Sequence, residues 1–236
     1  MKTLIYDIEV SPSIAWVWAT GKQVVNYNQL LDTGKIICIA YRYTDEPEGV
    51  VHSLHWDKKQ SDKKMLKKFS KIIKQSDVIV GHNGDGFDKK WIQARLAYHN
   101  LPSILHSVTE DTLKQSRRSF KLPSYRLDFL CKYFNIAGKL STTSTLWQDV
   151  VFKNDYESLK YMVEYCENDV IILDKLYKRM ANYTTSKIQM YPYAVNNKSN
   201  RCRKCGGKHF IKYGYYTSNT RRLRCNDCGH VYPGKI

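Results

Sequence analysis

"LIYDIEV", residues 4–10, sets Asp7 and Glu9 among Leu4, Ile5, Tyr6, Ile8 and Val10. β-Branched and aromatic neighbours read as a strand, and side chains of a strand alternate between faces, so the two acids share one face. Two carboxylates that close repel by about 4 kcal/mol at an effective dielectric of roughly 20, and burial adds a desolvation penalty. A paired base, a shared proton or a metal ion relieves that repulsion. An edge strand whose acidic face looks at water avoids it, and an isolated D-x-E fits all four.

The surrounding chain bounds the choice. At 236 residues there is room for one ordinary domain with a sizeable core plus a small appendage, and 42% hydrophobic residues is normal for a globular protein. No uncharged apolar run approaches the roughly 18 residues of a membrane span, and the acids at 7 and 9 interrupt a secretory-signal pattern. A cytoplasmic protein without a membrane partner is the expectation. The formal net charge of +16 favours a polyanionic partner, nucleic acid before a membrane surface. Its tail is the basic part: residues 186–236 hold 11 Lys/Arg and one acid. The run "KKQSDKKMLKKFSKIIK" (58–74) is different, because Met65, Leu66, Phe69, Ile72 and Ile73 fall at helical spacing with Lys outside.

Strands are expected at 2–8, 14–19 ("IAWVWA"), 35–43 ("KIICIAYRY") and within "VVHSLHW" (50–56). A helix over 61–75 then leads to a strand at 77–81, a helix over 87–99, a strand near 104–109 and mostly helical patterns up to 181. A meander followed by strand–helix alternation implies an α/β domain whose mixed sheet joins an antiparallel part to a parallel part, with helices on its faces. The expected divisions are a domain over 1–183, a polar, turn-rich linker over 184–200 and a separate module over 201–236.

That module, "RCRKCGGKHFIKYGYYTSNTRRLRCNDCGH" (201–230), carries Cys202-x2-Cys205, nineteen intervening residues and Cys225-x2-Cys228. The spacing is that of a structural zinc site with four cysteine ligands, and one Zn²⁺ would stabilise a segment too short to hold a core of its own. Between the pairs, aromatic and basic residues alternate as in a β-hairpin carrying Arg221, Arg222 and Arg224, which are candidates for phosphate contact. The segment resembles the zinc ribbons of many transposases and transcription factors, which dock nucleic acid or protein.

Two further segments bear acids. In "DVIVGHNGDGFDKKWIQARL" (77–96) a strand passes through a Gly-rich turn into a helix, placing Asp88 in the first helical turn at the end of a buried strand, where α/β proteins hold reactive groups. Asp85 competes for that role, and either residue could cap the helix. In "YESLKYMVEYCENDVIILDKLYKRM" (156–180), Tyr165 and Asp169 are four apart on one helical face. Asp111, opening "DTLK", reads as a helix cap, and Cys38, Cys131 and Cys166 as small core residues.

Together these segments resemble the DnaQ-like 3′-to-5′ exonucleases of the RNase H-like superfamily, in the DEDDy subclass with a tyrosine in its third motif. "YDIEV" fits the first motif, "HNGDGFDKKWI" the second and "YCENDV" the third. "EDTLKQSRRSFKLPSYRLDFLCKYF" (110–134) further resembles the segment between the last two motifs in relatives of the family B polymerase proofreading domain. The resemblance spans about residues 1–181. It implies an RNase H-like five-stranded mixed sheet and a site in which Asp7, Glu9, Asp88 and Asp169 bind two Mg²⁺ or Mn²⁺ ions while Tyr165 orients the attacking water. Asn83 and Phe87 are candidates for gripping the terminal nucleotides, Phe87 having a place in the core as its other reading. It also implies a DNA substrate, a role in proofreading or repair beside a separate polymerase, and a bacterial or phage source. An RNA exonuclease, an endonuclease and a catalytically silent nucleic-acid-binding protein are the competing readings.

Overall fold

The computed structural model describes residues 2–104, 108–136, 138, 140–184, 202, 208–217, 220–227 and 229–234. The opening stretch is strand β1 (Thr3–Val10), buried except at Asp7, Glu9 and Val10, which are half-buried. After it the chain makes a small excursion through β2 (Ile14–Ala15) and β3 (Leu30–Asp32), returns as β4 (Ile36–Tyr43) and turns into β5 (His52–His55). Helix α1 (Lys63–Lys74), strand β6 (Val78–Gly81), helix α2 (Asp88–Tyr98) and strand β7 (Val108–Asp111) follow. Four helices complete the domain: α3 (Thr112–Ser119), α4 (Leu127–Tyr133), α5 (Ser144–Phe152) and α6 (Tyr156–Met180).

The five long strands form one mixed sheet in the order β5-β4-β1-β6-β7. β1 pairs antiparallel with β4 and parallel with β6, so it stands where the two halves of the sheet meet. Both faces are covered, which is why β1 and β4 are nearly continuous apolar runs rather than alternating ones. Leu4, Tyr6 and Ile8 pack with Met65, Phe69, Ile92 and Leu96 of α1 and α2. Ile5 points the other way, into a cluster with α4, α5 and α6. By the same alternation Asp7 and Glu9 face the α6 side. α1 forms as its Lys-flanked apolar spacing requires, with Met65, Leu66, Phe69 and Ile73 buried.

The expected strand 14–19 is not part of this sheet. Only Ile14 and Ala15 are extended, paired to β3 in a two-stranded ribbon, and Trp16, Val17 and Trp18 are exposed, Trp18 by 89%. The place beside β1 is taken by β4, whose longer apolar run registers from Leu4↔Tyr43 to Val10↔Ile36. The strand expected near 104–109 lies at Val108–Asp111, shifted so that its end aligns with Gly81 of β6.

Two buried ion pairs fasten the layers. Asp62, fully buried just before α1, accepts from Arg95 Nε (2.7 Å) and Nη2 (2.9 Å) of α2, from the Ile36 amide of β4 (3.2 Å) and lies 2.6 Å from His99 Nε2. On the other face Arg42 of β4 meets Asp174 of α6 at 3.1 Å, both nearly inaccessible, and donates to the Glu46 and Pro47 carbonyls.

The C-terminal described residues form a three-stranded antiparallel sheet of β8 (Phe210–Thr217), β9 (Thr220–Cys225) and β10 (Val231–Gly234), with β9 central. The expected hairpin is thus present and gains a third strand. Cys202 and Cys225 are buried together with Leu223. Cys205 and Cys228, and all of the expected linker except Thr184, lie outside the described residues.

Burial pushes the Asp62 carboxyl up, but its hydrogen bonds from Arg95 and His99 win and hold it below the usual carboxylate range. A depressed folded pKa stabilises above the unfolded value near 3.9, and that stability is lost as pH falls through the folded value. Asp62→Ala, which leaves Arg95 buried without its carboxylate, is expected to cost about 3–5 kcal/mol at neutral pH. The difference between variant and parent should shrink towards low pH in urea titrations, and a gap independent of pH would remove the electrostatic account.

Candidate active site

β1 outruns its parallel neighbour. Its pairing with β6 stops at Ile5↔Val80, so the last strand residues reach past the sheet's parallel half, and a bulge follows between Glu9 and Val10. There α6 crosses beneath with Tyr165 and Asp169 on one face, both almost buried. One carboxylate oxygen each from Asp7, Glu9 and Asp169 lie within 4.8 Å of one another. The strand period of two and the helix period of nearly four therefore deliver three acids from two elements to one point.

Asp88 is placed differently. It opens α2 and lines the same cleft, 3% exposed, yet stands outside the group of three. Its carboxyl is pushed up to about 7, chiefly by burial and further by the charge of Asp111, against hydrogen bonds from its own amide and that of Ile8. The Ile8 amide is reachable because β1 has left β6 behind. A cation in the cleft would draw this group back towards its ionised form.

Asp85 is engaged elsewhere. Burial raises its pKa, but a 2.7 Å bond from Lys114 Nζ and a hydrogen bond from Thr109 outweigh it and keep the carboxylate charged, facing a separate small pocket. The residue before α2 is Phe87, which offers no side-chain cap, while Asp88 in the first turn accepts from its own amide. Asp111 does cap, accepting from the amides of Leu113 and Lys114 at the start of α3, and also from those of Asn83 and Asp85. One carboxylate thereby ties the Gly-rich turn to the next helix. In that turn Asn83 has φ +65°, and a Cβ on Gly84 would sit 3.1 Å from the Gly81 Cα, so the tight approach needs glycine.

Together these elements surround an open cleft of about 860 Å³ that contains Asp7, Glu9, Asp88, Tyr165 and Asp169, with Asn83 and Phe87 on its margin. Phe87 is not a core residue. It is 40% exposed, its ring edge-on to Trp91 at 6.3 Å. Cys38, Cys131 and Cys166 are buried as expected. Cys166 lies beneath the acids, its Sγ 3.7 Å from Asp7 Oδ2, and burial first, then Cys38, Asp7 and Glu9, raise its pKa well above the ordinary value, so it stays a thiol. Hard oxygen ligands at this spacing suit Mg²⁺ or Mn²⁺ rather than a softer metal.

The cleft is also lined by residues that periodicity did not single out: His82, Arg117 and the stretch Pro123–Asp128. They lie in "HNGDGF" (82–87) and "RRSFKLPSYRLD" (117–128). At the C-terminal sheet, Arg222 and Arg224 approach the Tyr213 ring at 5.9 and 5.6 Å, and Arg221 approaches Tyr215 at 5.9 Å.

A profile of the RNase H superfamily matches residues 29–181, more than half of the chain, beginning beyond β1. No curated protein matches the chain. Among solved structures, the family B DNA polymerase from the hyperthermophilic archaeon Pyrobaculum calidifontis is similar in fold, with a TM-score of 0.55 and 18% identity over 77% of this chain and 24% of the polymerase. The chain thus spans about a quarter of that polymerase's length.

Cation binding to the three-carboxylate group should appear as stability. Mg²⁺ or Mn²⁺ is expected to raise the melting temperature, by the equivalent of about 2.7 kcal/mol when free cation reaches a hundredfold excess over Kd. Asp7→Asn and Asp169→Asn should melt at or above the parent's temperature without cation and gain little when it is added. An undiminished gain in both variants would place the cation elsewhere.

Proposed function

The chain belongs to the RNase H superfamily, and we propose that it is a metal-dependent 3′-to-5′ exonuclease that hydrolyses phosphodiester bonds at DNA 3′ ends. One observation carries this reading: Asp7, Glu9 and Asp169 converge within 4.8 Å in a cleft that Asp88 and Tyr165 also line. These four acids would hold two Mg²⁺ or Mn²⁺ ions, whose Lewis acidity offsets charge on the phosphate and lowers the pKa of a nucleophilic water.

The protein's own groups do the positioning. Asp7 shares its strand face with Glu9 and lies against α6 through Cys166, and it would be a ligand to both ions. Tyr165, one helical turn from Asp169, orients the attacking water by a hydrogen bond, since a phenol is ordinarily protonated at neutral pH and serves poorly as a base. Asn83 and Phe87 take the terminal nucleotides at the margin, the exposed ring offering a face for a base. Attack on phosphorus breaks the bond to the 3′ oxygen, releasing a nucleoside 5′-monophosphate and a shortened strand.

In this reading residues 1–183 are the exonuclease domain, 184–200 a linker and 201–236 a zinc ribbon with Cys202, Cys205, Cys225 and Cys228 on one structural Zn²⁺. The burial of Cys202 and Cys225 against Leu223 supports it. Arg221, Arg222 and Arg224 on β9 give the ribbon basic side chains for nucleic acid, Arg222 and Arg224 sharing one strand face, alongside service to a separate polymerase in proofreading or repair.

The test is degradation of end-labelled single-stranded DNA, duplex DNA and RNA with Mg²⁺ or Mn²⁺. A ladder shortening from the 3′ end of DNA is expected, abolished in Asp7→Ala and Asp169→Ala with circular dichroism unchanged. Internal cuts, or preference for RNA, would replace the proposed substrate, and full activity in either variant would remove the site assignment. Tyr165→Phe is expected to slow the single-turnover rate roughly 10²-fold with little change in DNA affinity. For the ribbon, metal analysis should find one zinc per chain, reduced in Cys225→Ser. Replacing Arg221, Arg222 and Arg224 together by Ala should weaken DNA binding and flatten its salt dependence.

A further inference from the structure

The cleft is acidic at its centre, and a nucleic-acid strand is anionic, so cations fixed by the protein must hold the phosphates beyond the reacting one. Among the described residues that line the cleft, the Lys and Arg side chains are two: Arg117, in the last turn of α3, and Arg126, immediately before α4. Neither enters the roles assigned above. Arg126 lines the cleft with its side chain 83% exposed, and its Nε is a loose 3.5 Å from Asp128, itself 40% exposed, so most of its guanidinium is open to solvent. A planar guanidinium fork matches two phosphate oxygens at once, which suits it to a phosphodiester backbone.

The loop that carries Arg126 is held in place. Tyr125 donates its hydroxyl proton to the Phe120 carbonyl at 2.8 Å and accepts from the Leu122 amide at 3.2 Å, closing the turn on itself. The Arg126 amide meets Ser124 Oγ at 3.3 Å. From the end of β6, His82 reaches across: its Nε2 lies 3.0 Å from the Tyr125 carbonyl and its Nδ1 2.9 Å from Thr112 Oγ1. A carbonyl only accepts, so Nε2 carries the proton in this contact. Thr112 begins α3, the helix that ends in Arg117. One imidazole therefore touches both the loop before Arg126 and the helix bearing Arg117.

We propose that Arg117 and Arg126 form a clamp for the phosphodiester backbone of a single nucleic-acid strand, and that His82 is the positioning residue that fixes the clamp relative to the carboxylates. The strand rests on the nuclease reading only for its destination; the clamp binds whether or not the bond is cut.

The experiment uses the full chain with 5′-fluorescein oligothymidylate, read by anisotropy in EDTA over about 50–200 mM salt, and separately by steady-state degradation in Mg²⁺. Arg117→Ala and Arg126→Ala should each raise Kd about fivefold and lower the salt slope by about 0.7, the value for one lost phosphate contact on a single strand. In degradation KM should rise while kcat is held. His82→Ala should raise Kd at least as much as Arg126→Ala and add nothing further in the Arg117→Ala/Arg126→Ala background, whereas His82→Gln, with an amide donor for the Tyr125 carbonyl, should restore binding. Unchanged Kd and slope in the double arginine variant would overturn the clamp, and additive losses would overturn the role of His82. Degradation with parental KM in the double variant sinks the clamp and spares the nuclease, while arginine-dependent binding by a chain that degrades nothing does the reverse.

Discussion

Three carboxylate oxygens within 4.8 Å repel one another, and the fold is arranged so that they cannot separate. Asp7 and Glu9 are fixed by β1, which is hydrogen-bonded on both edges along its first half and covered on both faces. Asp169 is fixed by α6, whose apolar side fills the core cluster under that strand and whose Asp174 is locked to Arg42 of β4. Strand and helix would each have to leave a packed interior for the acids to relax. Close packing thus holds a charge arrangement that a flexible loop would release.

The molecule buries other acids and treats them differently. Asp62 and Asp174 face arginines, and Glu110 meets Gln115 Nε2 at 2.7 Å and the Tyr177 hydroxyl at 3.2 Å. These satisfy the requirement that a buried charge be paired or hydrogen-bonded. The acids of the site instead open on a cleft. Asp169 and Asp174 show the contrast within one helix: five residues apart, one reaches the cleft and the other a buried guanidinium. Asp88 is intermediate, buried but held by amides, and its raised pKa marks a carboxyl whose charge depends on what else is bound.

Much of this was legible along the chain because it follows periodicity. Alternation put Asp7 and Glu9 on one face, a four-residue step joined Tyr165 to Asp169, and the spacing in "MLKKFSKII" marked the buried side of α1. Where a feature depends on distant partners, the local pattern fell short. "IAWVWA" has strand composition, yet the edge it would occupy belongs to β4. Asp62 reads as a residue in a lysine run, although Arg95 and His99, 33 and 37 positions away, make it a buried anchor. Asp88 reached the cleft but not the group of three, because its placement depends on where β6 stops pairing with β1. His82, Arg117 and Arg126 sit in turns and helix ends, where no period distinguishes a cleft-lining side chain from a solvated one.

Asp111 shows how such turns are made reliable. Its carboxylate gathers four amides, two from the Gly-rich turn and two from α3, around a backbone that at Asn83 adopts a left-handed conformation. A turn of glycines and short polar residues would otherwise sample many shapes. Here that freedom is given up when the chain folds, so a ligand arriving beside Asn83, Phe87 and Asp88 meets a surface already set and loses less entropy on binding. In the proposed reading, Asp111 would thus aid binding without touching the substrate, through the order it gives the turn.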